Sequence, residues 1–168
     1  MSTFQNLWYN GARTKLGLNH SENPTTTSDA ERTLIDDWFE LLAKHEVDHT
    51  LGWRYLADAA DGNACKLQSL FPNPAEVDIF LKRWRGLQDD VSRPKAAKEI
   101  RATNPLYVPR NHLVEEALTA ATDDGNLKPF ETLLQAIQRP FTEDPNFTQY
   151  ALPASTEFTA NYRTFCGT

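Results

Sequence analysis

The sequence contains little cysteine: two residues of 168, Cys65 and Cys166, do not make a disulfide framework. We therefore expect a reducing, cytoplasmic compartment. The sequence also lacks any apolar run near the ~20 residues that a membrane helix needs. Its first residues lack a charged segment followed by an apolar one, so we expect neither a membrane anchor nor a signal peptide.

Basic residues are also fewer than acidic ones. The sequence has 17 Lys and Arg residues and 23 Asp and Glu residues, which gives a net charge of −6. A nucleic-acid-binding protein usually presents a strongly basic face, so this class is not expected. The stretch richest in basic residues, 74–110, is interpreted as a solvated helical face. The alternative is a patch that faces a phosphate or another domain.

Glycine is scarce and unclustered, with seven residues along the whole chain. There is no Gly-rich phosphate loop, no Asp-Phe-Gly motif and no G-x-S-x-G elbow. Little room is therefore left for a phosphate cradle, and we expect no cofactor-binding residues in this chain.

The apolar residues that are present recur at helical spacing, three or four positions apart. Phe4, Leu7, Trp8 and Leu16 predict an opening amphipathic helix that ends near Gly17. Two further stripes predict buried helix faces. They are Leu34, Ile35, Trp38, Leu41 and Leu42 in one helix, and Val77, Phe80, Leu81, Trp84 and Leu87 in the other.

Helix starts are marked by residues that can cap them. Ser28 with Glu31 has the form of a capping box, and Asp48, Ser92 and Asn111 are predicted N-caps. The sequence therefore predicts an all-α fold, with an irregular multi-helix domain over residues 1–140.

The remaining residues, 141–168, are predicted to form an extended, aromatic-rich tail that ends in Phe-Cys-Gly-Thr. The segment from 140 onward is interrupted by prolines and carries six aromatic residues, which are Phe141, Phe147, Tyr150, Phe158, Tyr162 and Phe165. Each of these side chains could bury on the order of 150–250 Å². We expect the tail to wrap a surface of this domain or of a partner, with a short strand over residues 158–162.

His45-Glu46-Val47-Asp48-His49 matches the H-E-x-x-H pattern of zinc hydrolases. That pattern requires both imidazoles to lie on one face of an unbroken helix. Here Asp48 is expected to cap a new helix, so a break between His45 and His49 is predicted. The favoured interpretation is two histidines flanking a turn, with a zinc site as the alternative.

The segment Asn104-Pro-Leu-Tyr-Val-Pro-Arg-Asn111 is a stiff turn, because a residue before proline disfavours helix. In the structural interpretation, Asn111 caps the next helix and Arg110 holds a carboxylate or a carbonyl. In the functional interpretation, Arg110 and Asn111 face another domain or a nucleotide phosphate, which a guanidinium binds in pairs of hydrogen bonds.

The two thiols receive different interpretations. Cys65 is expected to be packed, as unpaired cysteine usually is. Cys166 is either a tail thiol without a task or a redox residue that can reach a partner cysteine.

These motifs together resemble the C-terminal part of the selenoprotein O family, also called YdiU, which are kinase-like (pseudokinase) protein adenylyltransferases. The similarity covers nearly the whole chain. It is carried by Lys15-Leu-Gly-Leu18, Val47-Asp-His-Thr50, Trp53-Arg-Tyr-Leu56, the stretch from Asn104 to Leu118, Asp124 to Phe141, and Tyr162 to Thr168.

The resemblance implies a bacterial, cytoplasmic enzyme whose full-length form transfers AMP from ATP, with Mg or Mn, to hydroxyl groups of proteins. The phosphate-binding and metal-binding residues of that family lie upstream of everything matched here. Cys166 matches the terminal cysteine or selenocysteine that the family links to redox control.

The predicted function is therefore a non-catalytic C-terminal module that braces the upstream kinase-like domain and carries Cys166. Two alternatives remain. One is a free-standing helical interaction protein that grips a partner, or self-associates, through its tail. The other is a zinc hydrolase using His45 and His49.

Overall fold

The structure is a computed structural model that describes residues 3–18, 27–88 and 93–163. Every regular element in these ranges is a helix, which confirms the predicted all-α class. In the same ranges, no helix has the length and apolar character needed to cross a membrane. The chain forms two compact units, Met1–Pro105 and Leu106–Thr168. The predicted division at residue 140 differs from this boundary and stays a prediction.

The described residues of unit 1 form six helices. They are α1 (Thr3–Lys15), α2 (Asp29–Lys44), α3 (His49–Ala60), the short α4 (Cys65–Gln68), α5 (Pro74–Gly86) and α6 (Arg93–Thr103). Helix α3 packs mainly on α6 and α4, α1 contacts both α2 and α6, and α5 packs on α2.

The start of α2 is the predicted capping box. The Ser28 hydroxyl accepts from the Glu31 N–H at 3.2 Å, and the Ser28 N–H donates to Glu31 Oε2 at 2.7 Å. The other oxygen of Glu31 accepts from Arg13 Nε at 2.9 Å in a buried ion pair. One carboxylate therefore closes the N-terminus of α2 and also fastens it to α1.

The core of unit 1 is built around three fully buried tryptophans, Trp38, Trp53 and Trp84. Trp38 stacks on Phe80 with ring centroids 4.5 Å apart. Trp84 Nε1 donates to the Leu16 carbonyl at 2.9 Å, so its polar group is satisfied inside the core.

The predicted stripes lie mostly where they were expected. In α5, Val77, Phe80, Leu81 and Trp84 are buried. Leu87 was expected to be buried and is exposed. The reason is that α5 ends at Gly86 and Leu87 is its C-cap. The helix therefore ends before it can place Leu87 on the buried stripe.

Unit 2 contains α7 (Asn111–Asp123), α8 (Lys128–Ile137), a 3-10 helix (Pro145–Ala151) and α9 (Thr156–Asn161). The Leu106 and Tyr107 N–H groups both donate to the Pro140 carbonyl, at 2.7 and 3.3 Å. The Tyr107 hydroxyl donates to the Asp144 carbonyl at 3.2 Å and accepts from the Asp144 N–H at 3.0 Å. These bonds fasten the segment before α7 to the segment after α8.

Two local predictions for unit 2 are wrong. Residues 156–161 form a helix rather than a strand, because Ser155 Oγ caps it by accepting from the Phe158 N–H at 3.1 Å. Asn111 is not the cap of α7. The helix begins at Asn111 itself, with Arg110 as N-cap and no side-chain cap bond.

The predicted wrapping of the tail aromatics is seen in part. Tyr150 is buried and Phe147 is half-buried, and their rings meet edge to face with centroids 6.0 Å apart. Phe141 is exposed. Phe165 and the predicted cap Ser92 lie outside the described residues.

Gly17 ends α1 as predicted, in the left-handed conformation with φ of 65°. A Cβ at this position would lie 2.9 Å from the Ile100 side chain. We expect Gly17→Ala to lower the free energy of unfolding by about 2 kcal/mol, measured by urea denaturation, because both the backbone conformation and the contact are unfavourable for alanine.

Gly11→Ala is the matched control for this substitution. Gly11 lies inside α1, and an added Cβ would meet nothing within 4 Å. This change should raise the free energy of unfolding by about 0.5–1 kcal/mol, because alanine favours helix. Equal effects of the two substitutions would contradict the explanation.

Candidate functional site

One face of α1 lies outside the core of unit 1. Phe4, Leu7 and Trp8 are 74%, 68% and 49% exposed, although their spacing predicts the apolar stripe of an amphipathic helix. Further along the chain the same stripe is buried at Ala12, together with Leu16 beyond the helix end. The N-terminal part of the apolar stripe of α1 therefore has no cover within unit 1.

This exposed face borders an open cavity of about 520 Å³, which we call the Lys15 groove. Helix α1 contributes Lys15 and its exposed apolar face, while α2 and α3 contribute aromatic side chains. The groove is lined by Leu7, Trp8, Gly11, Ala12, Thr14, Lys15, Phe39, His49, Trp53 and Thr103. Its size is within the usual range for binding pockets.

The wall of the groove is a set of rings in mutual contact. Trp8 stacks on Phe39 with centroids 5.1 Å apart, and Phe39 meets Trp53 edge to face at 5.4 Å. The His49 ring stacks on Phe39 at 6.0 Å. Offset and edge-to-face arrangements such as these are the favoured geometries of aromatic pairs.

One cation lies at the end of this wall. Lys15 Nζ donates to Asn104 Oδ1 at 2.9 Å and lies 5.4 Å from the centroid of the Trp53 ring. Asn104 Nδ2 donates in turn to the Lys15 carbonyl at 2.9 Å. Both partners of the Lys15 ammonium, Asn104 and Trp53, are uncharged. Within the described residues no carboxylate forms an ion pair with Lys15.

Asn104 is itself held in place, with none of its surface exposed. Its carbonyl accepts from Arg54 Nη1 at 3.1 Å, and the same nitrogen donates to the Arg101 carbonyl at 2.7 Å. The buried guanidinium of Arg54 therefore fixes the backbone of Asn104, whose side-chain amide positions the Lys15 ammonium.

Burial affects the ionisation of both basic groups in the groove. It lowers the pKa of Lys15, because a partly desolvated ammonium loses hydration. Burial also lowers the pKa of His49, and the nearby Lys15 charge lowers it further, against an opposing effect of Asp48. His49 is therefore neutral at pH 7 and acts as an aromatic side chain.

In a comparison with known protein families, residues 1–138 match the family model for protein adenylyltransferase SelO. The chain belongs to this family. It is 46% identical over 167 residues to the protein nucleotidyltransferase YdiU of Chromobacterium violaceum, covering 98% of this chain and 34% of that protein. The proteins of the same name from Agrobacterium fabrum and Mycolicibacterium paratuberculosis are 38% and 43% identical, covering 99% and 96% of this chain and 33% and 31% of their own.

This SelO-family chain thus spans about a third of the length of the curated relatives it matches. The match confirms the resemblance inferred from the sequence motifs.

The structure separates the two histidines of the H-E-x-x-H match. Helix α2 ends at Lys44 and α3 begins at His49, which confirms the predicted break. His45 Nε2 lies 3.1 Å from Glu76 Oε2, and its ring packs against Phe71, whereas His49 lies in the Lys15 groove. Across residues 3–18, 27–88 and 93–163, no three His, Cys, Asp or Glu side chains are grouped to hold a metal ion.

Arg110 Nη2 donates to the Ala151 carbonyl at 3.1 Å, as the structural interpretation of this residue expects. Asn111 is exposed in the first turn of α7. A role for either residue in facing a domain or a phosphate stays a prediction.

The cysteines give one correction. Cys65 is exposed rather than packed, because it begins the four-residue helix α4, whose buried residue is Leu67. Cys166 lies outside the described residues.

None of the sequence motifs predicted the groove. Phe4, Leu7 and Trp8 have the spacing of a core stripe, and periodicity does not show how much of a stripe the core covers. The available signal was Lys15, a charged residue directly beside the buried Leu16.

We expect His49 to titrate below its ordinary pKa of about 6.5 in a proton NMR titration. Lys15→Met should move this pKa upward, because the repulsive charge is removed while the burial remains. Since the folded state binds the His49 proton less readily than the unfolded state, His49 should reduce stability as the pH falls below about 6.5.

His112 provides the control for this titration. Burial and the charge of Arg110 lower its pKa, so Lys15→Met should leave it unchanged. A His49 pKa that does not respond to Lys15→Met would contradict the electrostatic explanation.

Proposed function

We propose that this chain is the non-catalytic C-terminal module of a SelO-like protein adenylyltransferase, and that it braces the kinase-like part of the same enzyme. The observation that carries the proposal is the extent of the family match. Residues 1–138 match the family model, yet the chain corresponds to about a third of each relative. The remaining two-thirds would supply the partner.

In this proposal the complete enzyme transfers AMP from ATP to hydroxyl groups of other proteins, with Mg or Mn as the metal. The names of the family and of its relatives support nucleotidyl transfer to protein. The ATP-binding and metal-binding residues are proposed to lie in the kinase-like part. This chain contributes helices that support that part in a bacterial cytoplasm.

The exposed apolar side chains support a bracing role. Phe4, Leu7 and Trp8 form one such surface in unit 1. Burying a large apolar side chain contributes about 1.5–3 kcal/mol relative to leaving it exposed. A partner that covers this surface would therefore gain stabilisation that unit 1 by itself leaves unused.

A self-associating interaction protein is the second candidate, and unit 2 provides an observation for it. Leu118, Leu127, Phe130 and Leu134 are exposed on or beside α7 and α8, and such apolar surface can pair with a second copy. Sedimentation of the intact chain and of its Phe130→Asp variant tests this candidate, and an intact chain that sediments as a monomer counts against it.

The proposed function predicts how AMP transfer divides between the two parts. The chain should be co-expressed with the two-thirds of the Chromobacterium violaceum relative that lies outside the match, and incorporation of labelled AMP into protein measured with Mg or Mn. We expect the co-purified pair to transfer AMP and this chain alone to give background incorporation. AMP transfer by this chain alone would refute the proposal.

A redox role for Cys166 is the finer part of the proposal, and its support is the resemblance of the terminal segment to the family ending. Oxidised glutathione, which accepts the two electrons, should link Cys166 of the co-purified pair to a cysteine of the kinase-like part. We expect a band that is shifted on a non-reducing gel and lost in Cys166→Ser.

Cys65→Ser is the matched control, because Cys65 is the exposed thiol in the described part of the chain. This variant should keep the shifted band. A band that disappears in Cys65→Ser and persists in Cys166→Ser would show that Cys65 forms the disulfide, which would contradict the proposal.

A further inference from the structure

We infer that the Lys15 groove binds a protein segment in which an aromatic or aliphatic side chain neighbours a carboxylate, and that the kinase-like part of the enzyme supplies this segment. The source of the segment rests on the proposed function. The chemistry of the segment rests on the groove alone.

The apolar half of the inference follows from the wall of the groove. Trp8, Phe39 and His49 present ring faces and edges around an open volume of about 520 Å³. This space is large enough for a side-chain anchor, and aromatic and aliphatic groups are the residues that most often fill such pockets at interfaces. Trp8 is half exposed, so an incoming apolar group would cover surface that now contacts water.

The carboxylate half follows from the charge of Lys15. Its ammonium contacts the neutral amide of Asn104 and the ring of Trp53. A partly buried ammonium held by uncharged groups gains most from an anion, because the attraction between opposite charges is stronger in a partly desolvated site than in water. The lowered pKa of Lys15 agrees with this incomplete compensation.

Two carboxylates that adjoin the groove helices, on Asp48 before His49 and on Asp36 against Tyr9, already have other hydrogen-bond donors. Asp48 accepts from the Leu51 N–H at 2.9 Å as the cap of α3, and Asp36 accepts from the Tyr9 hydroxyl at 3.0 Å. His49 is neutral and supplies no competing positive charge. The charge that the groove offers to an incoming group is therefore that of Lys15, and complementarity selects an acidic segment.

The cation is also held in advance of binding. Two hydrogen bonds join Lys15 to Asn104, and Arg54 fixes the Asn104 backbone. A long lysine side chain normally loses rotamer freedom when it binds, and here much of that loss has occurred before the segment arrives. A preorganised ammonium beside an aromatic wall is the arrangement expected of a recognition site.

The first test measures the chemistry of the groove in the intact chain. Two probes of the same shape, 4-phenylbutyrate and 4-phenylbutanamide, are titrated against the ¹⁵N-labelled protein and followed by NMR. We expect shifts at Lys15, His49 and Trp53, and about fivefold tighter binding of the carboxylate, because only the carboxylate adds an attraction between opposite charges. Equal affinities for the two probes, or shifts confined to other residues, would overturn the inference.

Charge variants sharpen this measurement. Lys15→Gln should equalise the two affinities by weakening carboxylate binding while leaving amide binding unchanged. Lys98→Gln is the matched control, because Lys98 is an exposed lysine of α6 outside the groove lining. This variant should keep the fivefold preference. A preference that survives Lys15→Gln would contradict the role of the ammonium.

The second test identifies the source of the segment in the co-expressed pair. We expect Trp8→Ala and Lys15→Gln to reduce the fraction of the kinase-like part that co-purifies by at least about fivefold. Ile79→Ala is the matched control, since Ile79 is 65% exposed on α5 and lies outside the groove. Trp8 is a surface residue, so its variant keeps the test informative if Lys15→Gln folds poorly.

The outcomes of the second test separate the two proposals. If the pair forms and both groove variants bind as well as the wild type, the groove inference fails and the bracing proposal stands. If the wild-type pair does not form, the bracing proposal fails, and the proposed source of the segment fails with it.

Discussion

The buried side chain of Asn104 is the contact on which the arrangement of unit 1 depends. It joins the end of α1 to the end of α6 through two hydrogen bonds with Lys15, and the backbone carbonyl of Asn104 accepts from Arg54 of α3. Breaking a network of this kind leaves buried polar groups unsatisfied, which costs more than the bonds themselves contribute. The position of the Lys15 ammonium, and hence the character of the groove, follows from this one amide.

Local chemistry made much of the fold predictable. The Ser28 capping box, the Asp48 cap and the break before His49 each depend on residues within a few positions, and each was confirmed. Asn104 was interpreted as part of a proline turn, because its partner Lys15 is 89 positions away in sequence. The strand predicted over residues 158–162 failed for a related reason. Phe158 and Tyr162 stack at 4.9 Å, one helical turn apart, and alternation over five residues fits that spacing too.

The candidate site was much less predictable than the fold. The motif with the most familiar chemistry, His45 to His49, places its two rings against different neighbours because the helix ends between them. The groove instead combines residues of four helices, α1, α2, α3 and α6, and of these residues only His49 belongs to that motif. Spacing within one helix defines a catalytic pattern, whereas a docking surface is defined by which apolar face is left over after the core is complete. That remainder is visible in the folded chain and not in the sequence.

The hydrogen bonds that hold unit 2 together have a practical consequence for truncating the chain. The family match ends at residue 138, but Leu106 and Tyr107 bond to Pro140, the Tyr107 hydroxyl clasps Asp144, and Arg110 binds the Ala151 carbonyl. A version trimmed where the family likeness ends would keep the helices α7 and α8 while deleting every one of these acceptors. Truncation for expression or crystallisation should therefore follow the hydrogen bonds and retain at least residue 151.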